Sequence, residues 1–526
     1  MNQTAAPVRQ GSAHRARFLL LAALAGIITG GVLLAVAELV ALAVARTASP
    51  VLALGSFIVD IVPRPLKEFA IETFGENDKI FLLASVGVAV VVAAAIAGML
   101  QLVRPPLGQI LLVVAGGLSI AAIVTRAGAT PLSAVPTLAG VIVAVVVMHL
   151  LFGRLRRWRG AGVADEADAA GLERRGFFRV ALVAAVGAAV VGTGARLVNA
   201  ATSSLASVRA ALRLPPPRTT VAVPAGADLG IDGLSPLYTP NADFYRVDTA
   251  LSVPNIDPST WSLKVTGMVD QEVTLTLQQL LDMGVDEYSV TLTCVSNQVG
   301  GDLVGTAKWL GVPIRDVLAK AGVQSGADMV LSSSIDGYTA STPLASLTDS
   351  GLDAILAVGM NGEALPFEHG FPVRMVVPGL YGYVSATKWL TELKVTTFAA
   401  DQAYWTPRGY SAEAPIKMSS RIDTPRIDAP ITAGPTTIAG VAWAQATGIS
   451  KVEVSIDDGD WQAATLSTPV NIDTWVQWHV DWQAESGSHY IAVRATDKNG
   501  ALQTADRAPV APDGSSGWQR TLVSVS

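Results

Sequence analysis

Hydrophobic residues are unevenly distributed along this chain. Five nearly unbroken apolar runs fill its first two hundred residues, at 18–44, 80–103, 107–124, 132–152 and 177–197, and a bilayer core takes roughly 20 helical residues. The pattern predicts five transmembrane helices. A further apolar run, 51–62, is only about twelve residues long and is followed by Pro63 and Pro65, so it predicts an interfacial segment rather than a span.

The texture then changes twice. Residues 200–240 are rich in Ala, Ser, Pro and Gly around Pro215-Pro216-Pro217, which predicts a tether. Residues 241–410 predict an α+β domain. Trp261-Ser-Leu-Lys-Val-Thr-Gly267 alternates as a half-buried strand does, 277–283 predicts a short helix ended by Gly284, and 313–321 predicts another helix. Residues 411–526 carry short alternating runs, among them Val452-Glu-Val-Ser-Ile456, Val476-Gln-Trp-His-Val480 and Tyr490-Ile-Ala-Val-Arg494, separated by the turn signals Asp458-Gly459 and Asn499-Gly500. That spacing predicts an all-β sandwich. No Cys-Trp-Cys pattern accompanies it, so the sandwich is immunoglobulin-like in architecture only.

Composition agrees with a membrane part. Half of the 526 residues are hydrophobic and 15% are charged, and the mean hydropathy of +0.43 is too high for an ordinary soluble chain. Charge then orients the helices. Arg9, Arg15 and Arg17 precede the first span, Arg104 lies between the second and third, and Arg154, Arg156, Arg157, Arg159, Arg174 and Arg175 crowd the segment between the fourth and fifth. The positive-inside rule places these on the cytoplasmic side and everything after about residue 198 outside. Basic residues exceed acidic ones by 10 up to Arg218, and acidic exceed basic by 16 beyond it. An acidic outer part argues against nucleic acid as a partner. Glu173-Arg174-Arg175-Gly176-Phe177-Phe178-Arg179, ahead of a mildly apolar stretch, is similar to a twin-arginine export signal. The alternative is that the two arginines only obey the positive-inside rule.

The chain has one cysteine, Cys294. That excludes an intramolecular disulfide, a CxxC zinc site and a cysteine-ligated iron–sulfur cluster. A lone thiol remains core filling, a nucleophile or a metal ligand.

Seven segments narrow the choice: Asp243-Phe-Tyr-Arg-Val-Asp248, Val253-Pro-Asn-Ile-Asp-Pro258, Thr291-Leu-Thr-Cys-Val-Ser-Asn297, Ala307-Lys-Trp-Leu-Gly311, Asn361-Gly-Glu-Ala-Leu-Pro366, His369-Gly-Phe-Pro-Val-Arg374 and Lys388-Trp-Leu390. In this order they resemble the molybdopterin domain of the sulfite oxidase family, and the following β domain is similar to that family's dimerisation domain. The resemblance implies Mo-molybdopterin as cofactor, with no haem or iron–sulfur cluster, and a homodimer. It implies Cys294 as the protein's thiolate on molybdenum, which suits a metal held by soft sulfur donors. It implies His369, Arg374 and Lys388 as holders of the cofactor's phosphate-bearing tail, Asn297 as a loop-fixing contact and Arg246 as a cation near the metal. Asp336 aligns with an acidic cofactor contact or is an ordinary turn residue beside Gly337. Tyr410, in Tyr404-Trp405-Thr-Pro-Arg408-Gly-Tyr410, corresponds to a tyrosine over the metal, a proton or hydrogen-bond donor to a moving oxygen.

The family pattern also fails in places. Where sulfite oxidases keep a basic residue after the cysteine, this chain reads Gln298-Val299-Gly300-Gly301, and Val247-Asp248 replaces the asparagine–histidine pair after the first arginine. No residue matches the arginine contributed by the β domain. A pocket with one obvious arginine binds a dianion poorly, so the expected substrate is a neutral small molecule such as a sulfoxide or N-oxide rather than sulfite. No CxxCH is present, and His14 and His149 alone do not ligate two haems. The expected electron partner is a separate redox protein or a quinone. Two rivals stand beside this reading. One is a non-catalytic surface protein, in which Cys294, His369, Arg374 and Lys388 do not converge on a cavity. The other makes the helices the working part, where Glu38 is a sparse intramembrane charge.

Overall fold

Apolar runs of spanning length become helices because a helix satisfies every backbone hydrogen bond within itself. The computed structural model describes residues 12–44, 73, 78–125, 131–161, 167–201, 205–250, 253–427 and 429–526. The expected interfacial segment 51–62 lies outside them. The chain divides into two units, Met1–Ser204 with Ala250–Ser252, and Leu205–Thr249 with Val253–Ser526.

The first unit holds α1 (Ser12–Val44), α2 (Asp78–Val103), α3 (Leu107–Val124), α4 (Val135–Ala161) and α5 (Ala167–Ala201). All five are long and apolar enough to cross a membrane. Small residues bring their backbones together. A Cβ on Gly26 of α1 would run into the Ala94 carbonyl of α2, and one on Gly98 of α2 into the Ala22 carbonyl of α1. The arginines expected between the fourth and fifth spans lie instead within α4 and α5, which continue past their apolar stretches because Arg favours helix. Arg157 pairs with Glu173 at 3.1 Å, and Arg156 donates to the Gln101 carbonyl at 2.6 Å.

The second unit begins with α6 (Leu205–Ala211). Its α+β part contains β1 (Ser262–Gly267), β2 (Val273–Thr276), β3 (Asp286–Thr293), β4 (Val304–Pro313), β5 (Met329–Ser334), β6 (Thr339–Pro343), β7 (Ile355–Met360), β8 (Glu363–Ala364), β9 (Arg374–Val376) and β10 (Leu390–Thr396). One sheet runs β2-β1-β10-β5-β6, with β1 and β10 parallel. The other runs β3-β4-β7-β8, and β9 pairs with β7. Helix α7 (Leu277–Leu281) starts on a capping box in which Thr276 and Gln279 satisfy each other's backbone N–H. Helix α8 (Ile314–Ala321) buries Ile314, Val317, Leu318 and Ala321, an i, i+3, i+4, i+7 stripe.

The C-terminal part is all β: β11 (Ser419–Thr424), β12 (Gly434–Trp443), β13 (Ile449–Ile456), β14 (Gln462–Ala463), β15 (Thr465–Leu466), β16 (Val476–Ala484), β17 (Gly487–Asp497) and β18 (Gln519–Val525). Sheets β11-β12-β16-β15 and β14-β13-β17-β18 share one core, including Ile438, Val452, Trp478 and Val493. Each such side chain contributes roughly 1.5–3 kcal/mol on burial.

The expected tether is a strap bound to this unit. Arg218 pairs with Asp286, Leu229 N–H donates to Gln477 Oε1 at 2.7 Å, and Ser235 N–H donates to Asp423 Oδ2 at 3.0 Å. Leu237 is buried against Trp443 and Trp475. A Pro- and Gly-rich composition disfavours regular elements, but it does not prevent an extended chain from packing.

Candidate functional site

Cys294 directly follows β3 and opens a loop that returns to β4 at Val304. The loop is pinned by three bonds: Cys294 N–H to Leu303 O at 2.9 Å, Asn297 N–H to Cys294 O at 3.0 Å, and Leu303 N–H to Asn297 Oδ1 at 2.9 Å. Gly301 is required because a Cβ there would stand 2.8 Å from Asn297 Oδ1. The β domain holds the loop from outside. Ser515 Oγ donates to Asn297 O at 2.6 Å, and Arg421 of β11 donates to Gly301 O at 2.9 Å.

Beside the loop lies a cavity of about 140 Å³. Six of the predicted residues line it: Cys294, Asp336, His369, Arg374, Lys388 and Tyr410. The surface-protein alternative required that they not converge. Asn297 belongs to the cysteine loop itself and lies outside the lining. Arg246 also lies outside the lining, with its side chain 35% exposed and its Nε 2.8 Å from Oδ2 of the lining residue Asp248.

The cationic end of the cavity is built on β9 and on the segment leading into β10. Arg374 is buried, lies over the Trp309 ring at 5.1 Å, and donates only to carbonyls, those of His369, Met375 and Ala386 at 3.2, 3.3 and 3.5 Å. Among the described residues no carboxylate pairs with it. Burial pushes its guanidinium down to about 10, so it stays charged at neutral pH. Lys388 Nζ meets Asp248 Oδ2 at 2.7 Å and donates to Glu368 O at 3.1 Å, and burial pushes it down to about 8. Gly370 makes this packing possible. Its φ of +110° suits glycine, and a Cβ would meet Arg374 Cβ and Lys388 Cα at 3.0 and 3.1 Å.

His369 differs from expectation in charge. Burial pushes it down to about 4, and Nε2–H donates to Asn241 O at 3.0 Å, so the ring is neutral and leaves Nδ1 as an acceptor. An acceptor suits an N–H donor rather than a phosphate oxygen.

Asp336 Oδ1 accepts from Tyr338 N–H at 3.2 Å, so it is a turn residue and a lining residue together. Tyr338 donates its hydroxyl to Tyr383 O at 2.7 Å, and Tyr383 donates to Ser411 O at 2.7 Å. The Tyr410 ring lies 5.2 Å from Trp405 and 5.5 Å from Tyr383. Burial pushes the Cys294 thiol up from its ordinary value.

Sequence reasoning missed Asp248, Ser334, Tyr338, Tyr383 and Arg421. Asp248 had a signal, since it breaks the family pattern two residues after Arg246. Ser334 had none. Its hydroxyl lines the cavity, is buried, and has no hydrogen-bond partner among the described residues.

An uncompensated buried guanidinium, a second buried cation, an orphaned hydroxyl and a lone thiol fit a bound group with anionic oxygens and a soft metal. The oxidoreductase molybdopterin binding domain family matches residues 250–405, and the Mo-co oxidoreductase dimerisation domain family matches residues 412–510. Mitochondrial sulfite oxidase of Mus musculus is 33% identical over 320 residues, covering 52% of this chain and 58% of that protein. The Homo sapiens protein of the same name is 31% identical over the same shares. NADH nitrate reductase of Spinacia oleracea is 29% identical over 311 residues, covering 47% of this chain and 33% of that protein. The chain thus spans under two thirds of these relatives. The sulfane dehydrogenase SoxCD from Paracoccus pantotrophus superposes with a TM-score of 0.48 at 23% identity, covering 55% of this chain and 83% of that one.

Proposed function

Because the chain belongs to the sulfite oxidase family of molybdopterin oxidoreductases, we propose that it is a membrane-anchored enzyme catalysing two-electron oxygen-atom transfer on a neutral oxide such as a sulfoxide or N-oxide, taking the oxygen off as two electrons are supplied, or the reverse on the deoxygenated partner. The matched domains imply Mo-molybdopterin, which when bound supplies the two-electron couple and the metal that exchanges oxygen. The observation that carries the reading is the convergence of Cys294, Arg374 and Lys388 on one cavity.

Each side chain has a task in this reading. Cys294 ligates as thiolate, and a metal cation opposes the burial that raises its thiol. Arg374 and Lys388 neutralise the phosphate, Arg374 through a guanidinium that carbonyls alone hold in place. His369 accepts a hydrogen bond at Nδ1, and Asp336 and Ser334 offer further polar contacts in the lining. Tyr410 donates its phenolic proton, or a hydrogen bond, to the substrate oxygen, while the rings of Trp405 and Tyr383 fix its plane and exclude water. Asn297 acts from outside the lining by holding the Cys294 loop.

The neutral substrate follows from where positive charge is missing. The loop after Cys294 carries no basic residue from Gln298 to Gly301, and Arg246 is paired with Asp248 outside the lining. Sulfite oxidation is the second reading, favoured by the identity to mammalian sulfite oxidases. The helices anchor the enzyme with residues beyond about 200 outside, Arg174-Arg175 serves as its export signal, the sandwich is immunoglobulin-like and mediates a homodimer, and electrons pass through a separate redox protein or a quinone.

Molybdenum content of the purified protein and of Cys294→Ser, made in a molybdopterin-competent host, tests the enzyme. Metal in the wild type and none in the folded variant is expected, and a folded, metal-free wild type would overturn it. Reduction of dimethyl sulfoxide or trimethylamine N-oxide by reduced viologen, set against sulfite oxidation by ferricyanide, decides the substrate.

A further inference from the structure

We infer that Asp248 is a specificity-determining residue that keeps divalent anions out of the cavity. Its carboxylate lines that cavity, its side chain is 5% exposed, and one oxygen, Oδ2, engages Lys388 Nζ at 2.7 Å and Arg246 Nε at 2.8 Å. Resting on the neutral-oxide reading, this names the side chain responsible for it.

The charges around the cavity explain the effect. Three cations approach it: Arg246, Arg374 and Lys388. Asp248 and Asp336 both line the cavity, so the two carboxylates offset two of the three cations, and the one positive charge left is more than matched by a phosphate dianion. Nothing is left over for an anionic substrate. The position of Arg246 follows from the same contact. A guanidinium is held by a buried carboxylate, so the cation expected beside the metal lies outside the lining and is already paired. With an uncharged residue at 248, Arg246 would lose its carboxylate, and an unpaired guanidinium beside a low-dielectric cavity attracts anions strongly.

The mouth supports the same substrate class. Val247 is 47% exposed and lines the cavity beside Asp248. Apolar side chains at an entrance offer a divalent anion no hydrogen bond and favour a neutral molecule with apolar substituents.

The test uses the molybdenum-loaded full chain in detergent, with sulfate as the probe. Binding is followed by the visible absorption of the oxidised centre, which requires no turnover. Asp248→Asn is expected to bind sulfate at least about tenfold more tightly than wild type at equal molybdenum content, with the gain fading at high salt. Asp248→Glu, which keeps the charge, is expected to bind as weakly as wild type, an outcome that a merely structural aspartate would not give. Sulfate affinity of Asp248→Asn within about twofold of wild type would overturn the inference. If that variant does not load, Asp248→Ser, which also removes the charge, takes its place, with the same gain of at least about tenfold expected and a sulfate affinity within about twofold of wild type again overturning the inference. Dimethyl sulfoxide reduction is assayed separately. Its absence alongside the expected sulfate result removes the substrate reading and leaves the role of Asp248 standing.

Discussion

Ser515 donates its hydroxyl hydrogen to the carbonyl of Asn297 at 2.6 Å, so the β domain grips the loop that carries Cys294. On the opposite side of the same residue, Asn297 Oδ1 accepts from Leu303 N–H and closes the loop onto itself. Asn297→Ala leaves Leu303 N–H without its acceptor, at a cost of about 1–3 kcal/mol. We expect a lower melting temperature and at least a halving of molybdenum content. Thermal denaturation and elemental analysis check this, and full metal retention would show that the loop does not need the bond.

Arg374 should separate the stability of the empty fold from retention of the cofactor. An uncompensated buried guanidinium destabilises the empty protein, so Arg374→Met, of similar length and still over Trp309, is expected to stabilise it by about 1 kcal/mol or more. The same change removes the cation that faces the phosphate and should lower molybdenum content at least about tenfold. Arg374→Lys is expected to fall between, because an ammonium lacks the planar fork. Opposite signs in melting temperature and metal content are the outcome to look for.

Asp473 predicts a pH dependence at the junction of the two parts of the second unit. Its carbonyl accepts from Thr291 N–H at 3.0 Å, and its Oδ1 accepts from Ala446 N–H at 3.2 Å. Burial pushes its carboxyl up from 3.8 to about 6. A carboxyl raised on folding binds more protons folded than unfolded, so its contribution is neutral below pH 3.8 and becomes destabilising as pH rises to about 6 and beyond. The cost approaches about 3 kcal/mol at neutral pH. Asp473→Asn should therefore raise the melting temperature more at pH 7.5 than at pH 4.5, values chosen roughly to bracket the shift. Equal effects at both pH values would refute the assignment.

Gly98 and Ala22 bring α1 and α2 into backbone contact. Gly98→Val forces a branched side chain against the Ala22 carbonyl, while leaving the helix hydrophobic enough to insert. The expected result is a normally inserted protein with a lower thermal midpoint in detergent, and Gly98→Ala is expected to be milder. An unchanged midpoint for valine would mean that the two helices separate without cost.

By itself the sequence determined what depends on local pattern. The length of the apolar runs dictated five helices, because backbone in lipid must bond internally. Alternation dictated strands such as β13, β16 and β17, and turn pairs such as Asp458-Gly459 separated them. The resemblance of an ordered set of segments to a known family singled out Cys294, Asp336, His369, Arg374, Lys388 and Tyr410, which line one cavity, together with Arg246 and Asn297, which do not. Only the tertiary structure decided which charges meet. Lys388 and Asp248 are 140 residues apart, Arg421 and Gly301 are 120 apart, and the neutrality of His369 depends on burial and on Asn241, 128 residues away. The strap shows the same division. Its composition disfavoured regular elements, although α6 (Leu205–Ala211) forms within it, and its anchorage rests on Asp286, Asp423 and Gln477, which no local pattern could indicate. Secondary structure follows from neighbours along the chain, whereas the electrostatics of a site follow from neighbours in space.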